Sequence, residues 1–158
     1  MVAIIVYISD VQAVTPNDSA ISATSAAHRG LEEFADNDSR LAYAADLLNQ
    51  NLYRSAEAFL SEFLETVEPD SHMAAAIRYD LGLAHLYLEE YNQAVSDFSA
   101  VIVQVDYPDA YYNLGNALVG LQNYEKALDA YESAIKLEQK PEYIEVRNTV
   151  LALLKKAS

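Results

Sequence analysis

Cysteine and tryptophan are absent from this 158-residue chain, glycine and proline occur four times each, and only ten residues are basic. Each shortage removes a class of protein. Without cysteine there is no disulfide framework, no thiolate zinc centre and no cysteine nucleophile. Scarce glycine and proline argue against a low-complexity linker, and an apolar fraction of 52% is too high for a disordered chain. The ten bases face 24 acids, a formal charge of −14, which repels phosphate backbones and anionic lipid. Nucleic acid is therefore disfavoured as a partner, and cationic or neutral partners are favoured.

Long apolar runs are missing too. Residues 1–9 (MVAIIVYIS) are uncharged, but they are about half the roughly 20 residues that a membrane-spanning helix needs. No base precedes them and Asp10 ends them, so a secretory signal is a poor reading, although Val11 and Ala13 offer a conceivable cleavage point. If residues 1–14 are the stub of an anchor, the address is membrane-associated; otherwise it is cytoplasmic. Residues 15–25 (TPNDSAISATS) read as a linker. The expected division is an apolar arm and linker at 1–25 and one folded domain at 26–158.

The negative charge is concentrated before Tyr111. Residues 1–110 hold 18 acids against Arg29, Arg40, Arg54 and Arg78, whereas 111–158 hold six of each sign. Either this is a solvated acidic surface that keeps the chain soluble, or it is a face that steers a basic partner.

From Ser25 onward the pattern is helical. Ala27, Leu31 and Phe34 make one short amphipathic helix, 26–36, bounded by the capping cluster Asp36-Asn37-Asp38-Ser39. Beyond it the prolines Pro69, Pro108 and Pro141 fall where helices stop or start, and no segment shows the alternation of a half-buried strand.

Self-similarity organises this helical body. Leu81, Gly82, Ala84, Tyr91, Ala94 and Phe98 align with Leu114, Gly115, Ala117, Tyr124, Ala127 and Tyr131, each pair 33 residues apart. A weaker upstream unit carries Ala44, Tyr53, Ala56 and Leu60 at an offset of 38, which places a longer connection or helix end near 67–73. This spacing resembles the tetratricopeptide repeat, whose unit is about 34 residues. The resemblance implies an all-α, right-handed α-α superhelix of three helix-turn-helix repeats (38–70, 74–107 and 108–140). A C-terminal capping helix, 141–157, would cover the last apolar face with Tyr143, Val146, Val150, Leu153 and Leu154. Gly82 and Gly115, with Ala94 and Ala127, let paired helices approach closely, Phe98 and Tyr131 fill the space between adjacent repeats, and Tyr91 and Tyr124 pack under the next helix.

In that family the first helices of the repeats line a concave groove that holds peptides or partner helices. By resemblance, the groove positions are Leu41, Ala45, Leu48 and Asn49 in repeat one, then Tyr79, Leu83, Leu86 and Tyr87 in repeat two, and Tyr112, Asn113, Asn116 and Val119 in repeat three. This lining is apolar and aromatic, with Asn113 and Asn116 available to a bound backbone. A carboxylate clamp would need bases at places such as Leu41, Ala45, Tyr79 and Leu83, and none is basic. The expected function is a non-catalytic adaptor or assembly chaperone for a short, apolar, partly basic segment.

Two narrower resemblances compete with that reading. The acidic balance and the final helix beginning Lys140-Pro-Glu-Tyr143 are similar to chaperones of bacterial type III secretion translocators. The long first spacing followed by Ile77-Arg-Tyr-Asp-Leu-Gly-Leu-Ala-His85 is similar to photosystem I assembly factors. A third possibility seats the arm itself, residues 2–8, in its own groove or in that of a second copy as a swapped homodimer.

An enzyme has little support. The motifs of serine hydrolases, P-loops and zinc proteases are absent, and no two glycines lie close enough for a dinucleotide loop. His28, His72 and His85 are not at metal-ligand spacing, so no metal or cofactor is expected. His85 reads as a packed ring, His72 as an exposed loop residue, and Glu89-Glu90 as solvation of a turn.

Overall fold

Asp36 accepts the Ser39 amide at 2.8 Å and its hydroxyl at 2.7 Å, and this cap starts a run of helices that continues to the C-terminus. A computed structural model describes residues 29–157. The expected arm and linker, 1–25, and His28 lie outside the described residues. Among the described residues, seven α-helices follow one 3-10 turn: α1 (Asn37–Asn49), α2 (Tyr53–Leu64), α3 (His72–Tyr87), α4 (Tyr91–Gln104), α5 (Pro108–Gly120), α6 (Tyr124–Leu137) and α7 (Pro141–Ala157). There is no strand among the described residues, and none of their helices is long and apolar enough to cross a membrane.

The turns inside the pairs share one geometry. Asn51, Glu89 and Gln122 adopt φ of 60°, 60° and 59°. The next amide then reaches back to a helix carbonyl: Leu52 to Leu47 at 2.9 Å, Glu90 to His85 at 2.8 Å, and Asn123 to Leu118 at 2.8 Å. These left-handed closures satisfy carbonyls that the helix end would leave unpaired. Pro108 and Pro141 occupy first helical positions, where a missing amide costs nothing.

Consecutive helices pack throughout, and α1 also touches α3 as α3 touches α5, which gathers the first helices of the pairs on one side of an α-α superhelix. The core lies in two clusters. One joins α1, α2 and α3 through Ala44, Leu47, Leu60, Phe63 and Ile77, and the other joins α4 to α7 through Phe98, Leu114, Tyr131 and Val150. Phe98 packs on Gly82 of its own pair and Tyr131 on Gly115 of its own, and both also belong to the buried cluster that joins α4 to α7. Contact between pairs is also made by Tyr91, which lies on Gly120, and by Tyr53, which stacks on Tyr87 at 4.8 Å.

Two expectations change. The described part of the short helix 26–36 is only the 3-10 turn Leu31–Glu33, because the backbone turns extended at Phe34. Leu31 is still buried, its carbonyl accepts from Arg40 at 3.0 Å, and Phe34 packs on Tyr43 and Phe59. The extra residues of the long spacing form the connection 65–71 and an added first turn on α3, which has 16 residues where α5 has 13. Ser71 caps that turn through the Ala74 amide at 3.1 Å, so His72 is the first residue of a helix and not part of a loop.

Candidate functional site

Because α1 and α3 meet on the inner side, the residues they turn inward face each other across open space. Two cavities occupy it. The larger, about 630 Å³, runs from Leu41 and Ala45 on α1 to Ala76 and Tyr79 on α3, with Val105 and Tyr107 at its far wall. The smaller, about 350 Å³, is bounded by Leu48, Asn49, Tyr53, Leu83 and Tyr87. Ala45 and Asp80 line both, so the cavities adjoin as one groove. The turn added to α3 supplies one end of it, through His72 and Ala75.

Seven of the twelve groove positions expected from the sequence line this space: Leu41, Ala45, Leu48, Asn49, Tyr79, Leu83 and Tyr87. Leu86 is half-buried against the second core cluster, and Val119 is only 8% exposed within it, so Val119 has no surface to offer a partner. Tyr112 stacks on Tyr143 at 4.9 Å and touches Tyr131 at 5.8 Å. The sequence overstated the third repeat because it treated each repeat alike, whereas α7 covers α5 and α6.

The two asparagines are already engaged. Tyr131 donates to Asn116 Oδ1 at 2.8 Å, Asn116 donates to Asn113 Oδ1 at 3.3 Å, and Asn113 donates to the Tyr79 hydroxyl at 3.1 Å. Each amide thereby uses its carbonyl and one N–H, leaving little for a bound backbone. Tyr79 is held at both ends: its ring lies against Phe98 and Tyr107 at 5.8 and 4.8 Å, and its hydroxyl ends the polar chain. It is a wall of the groove and a structural member together.

Asp80 is the residue that the sequence reading missed. It stands between the two cavities with no hydrogen-bond or ion-pair partner among the described residues, and burial pushes its carboxyl up to about 6. The signal is in the sequence: Asp80 occupies the same repeat position as Asn113, 33 residues earlier. A desolvated carboxylate on an apolar floor attracts a cation and repels an anion. This agrees with the absence of bases for a carboxylate clamp.

The Lys140-Pro-Glu-Tyr143 segment has a structural role. Lys140 Nζ lies 2.9 Å from Asp109 Oδ1, and the Tyr143 hydroxyl donates to the same oxygen, tying the start of α7 to the start of α5. Burial alone would raise the Asp109 carboxyl, but these bonds and the lysine charge hold it below the usual range.

Residues 108–141 match the family model of the tetratricopeptide repeat. That segment is a tetratricopeptide repeat, the all-helical fold around it is consistent with an α-α superhelix of such repeats, and a repeat of this kind supports a protein–protein interaction module. No curated protein matches it.

Proposed function

We propose that this protein is a non-catalytic adaptor or assembly chaperone that holds a short apolar segment, carrying one lysine or arginine, in the groove between α1 and α3. The observation that carries the reading is Asp80: a carboxylate in an apolar channel that has no cation beside it among the described residues. Leu41, Ala45, Leu48 and Leu83 supply apolar contact, and Tyr87, 40% exposed, supplies a rigid aromatic edge. A segment that brought an ammonium or guanidinium to Asp80 would restore the charge complementarity that burial denies it.

The test is fluorescence anisotropy with short labelled peptides of apolar residues, matched pairs that differ only in one central Lys replaced by norleucine. The Lys peptides should bind more tightly, and Asp80→Asn should remove that preference. Ala45→Arg, which fills the groove where its two halves meet, should abolish binding of both. Absence of peptide binding, or affinity indifferent to Asp80→Asn and to Ala45→Arg, rejects the reading.

A further inference from the structure

The outer side of the first two pairs carries a cluster that the groove does not use. His85, near the end of α3, stands with Nε2 3.7 Å from Glu57 Oε1 on α2 and 3.9 Å from Oε2 of Glu90, at the cap of α4. Its other nitrogen, Nδ1, is 2.7 Å from Asp97 Oδ2 on α4. Arg54 bridges the two glutamates from the far side, 2.9 Å from Glu57 Oε2 and 2.6 Å from Glu90 Oε1. Each glutamate therefore gives one oxygen to Arg54 and turns the other towards the imidazole. Glu90 and His85 are held together by the turn itself, whose Glu90 amide bonds the His85 carbonyl.

We propose that Glu57, His85 and Glu90 form a binding site for one divalent transition-metal ion of the zinc class. One ring nitrogen and two carboxylate oxygens lie within 4.8 Å of one another, a mixed donor set that suits zinc better than calcium or magnesium. Zinc–ligand bonds of about 2.0–2.2 Å put tetrahedral ligands roughly 3.4 Å apart, so small side-chain rotations close the site. Each ligand already has an outer partner: Asp97 meets Nδ1, so that the tautomer with its proton there presents the Nε2 lone pair to an ion, and Arg54 holds the spare carboxylate oxygens. Three carboxylates, Glu57, Glu90 and Asp97, surround the imidazole against the guanidinium groups of Arg54 and Arg78, and a divalent ion offsets the remaining negative charge. The cluster is reachable, with the histidine side chain 12% exposed and the glutamates 28% and 23%.

A comparison within the chain shows that packing did not require these residues. The positions of His85 and Asp97 are held by Leu47 and Phe59 in the first pair and by Leu118 and Ala130 in the third, all buried and apolar. Two apolar positions have been exchanged together for a histidine and the carboxylate that orients it. The sequence reading of His85 as a packed ring and of Glu90 as turn solvation omits this pairing.

The experiment is isothermal titration of the chelator-treated full chain with ZnCl2, repeated in excess MgCl2, with helical circular dichroism recorded for every variant. The expected result is saturable binding of one Zn2+ per chain that excess Mg2+ does not displace. His85→Leu, which installs the residue of the other two pairs, should abolish it, and Glu57→Gln with Glu90→Gln should do the same without removing the histidine. Asp97→Asn should weaken binding by about 10–100-fold as a positioning effect, leaving the stoichiometry unchanged. No saturable zinc binding, binding that survives both His85→Leu and the double glutamine variant, or binding lost with His72→Ala instead, overturns the site. If His85→Leu fails to fold, the double glutamine variant decides.

Discussion

The ring of Phe98 occupies the space that a side chain on Gly82 would need: a Cβ there would lie 2.6 Å from Phe98 Cε1. Gly115 and Tyr131 repeat this relationship 33 residues later. Gly115→Ala should therefore destabilise the protein by about 1–3 kcal/mol, despite the better helix propensity of alanine, because Tyr131 must move and its bond to Asn116 with it. Urea titration checks this. In a Phe98→Leu background, Gly82→Ala should cost much less than in the wild type, and an equal cost in both would show that the ring is not the obstacle.

Asp80 links stability and binding with opposite signs. Its folded-state value is raised, so the folded protein holds that proton more tightly than the unfolded chain does. The penalty is absent at low pH, grows as pH rises from the ordinary carboxylate value of about 4, and is complete above about 6. Asp80→Asn should raise stability at pH 7 by on the order of 1–3 kcal/mol, a gain that fades below pH about 4. Denaturation at pH 3.5, 5 and 7 measures it. A variant less stable than the wild type at pH 7 would mean that the carboxylate has a partner.

Tyr87 and Tyr79 should separate in mutagenesis. Tyr87 is 40% exposed and its ring stacks on Tyr53, so Tyr87→Ala should weaken peptide binding by about 1–3 kcal/mol with a smaller loss of stability than Tyr79→Ala. Tyr79→Ala would empty the space beside Phe98 and Tyr107 and should cost about 2–4 kcal/mol of stability. Anisotropy and thermal melting on the same two variants give both readouts.

At the other end, Tyr143→Phe keeps the buried ring and removes only the hydroxyl that donates to Asp109. It should loosen α7 by about 1 kcal/mol, seen as faster amide exchange in that helix. Because the Asp109 carboxyl is held low, the contribution of its contacts is present above pH about 4 and lost as the pH falls through its lowered value. The difference between wild type and Tyr143→Phe should shrink in the same acid range.

Helix positions and their pairing were legible from Tyr53, Tyr91 and Tyr124, and from Leu-Gly at 81–82 and 114–115, because these residues act within one pair or on its nearest neighbour. The short helix at 26–36 was misread: a spacing of four and three among Ala27, Leu31 and Phe34 suits a helix, but Phe34 turns its ring to Tyr43 and Phe59 from extended backbone. The groove was half legible. Positions on α1 and α3 follow from the repeat register, whereas the same register offers Val119, Asn113 and Asn116 as open positions that the core, Tyr79 and Tyr131 engage.

Periodicity alone determined that the chain would form paired helices and where each pair turns, since both depend on residues close in sequence. The tertiary structure decided which polar groups acquired partners. Asp80 has no partner among the described residues while Asp109 gained Lys140 and Tyr143, and His85 was brought between Glu57 and Asp97, because electrostatics and hydrogen bonding act over a few ångströms between side chains that the chain separates by many residues.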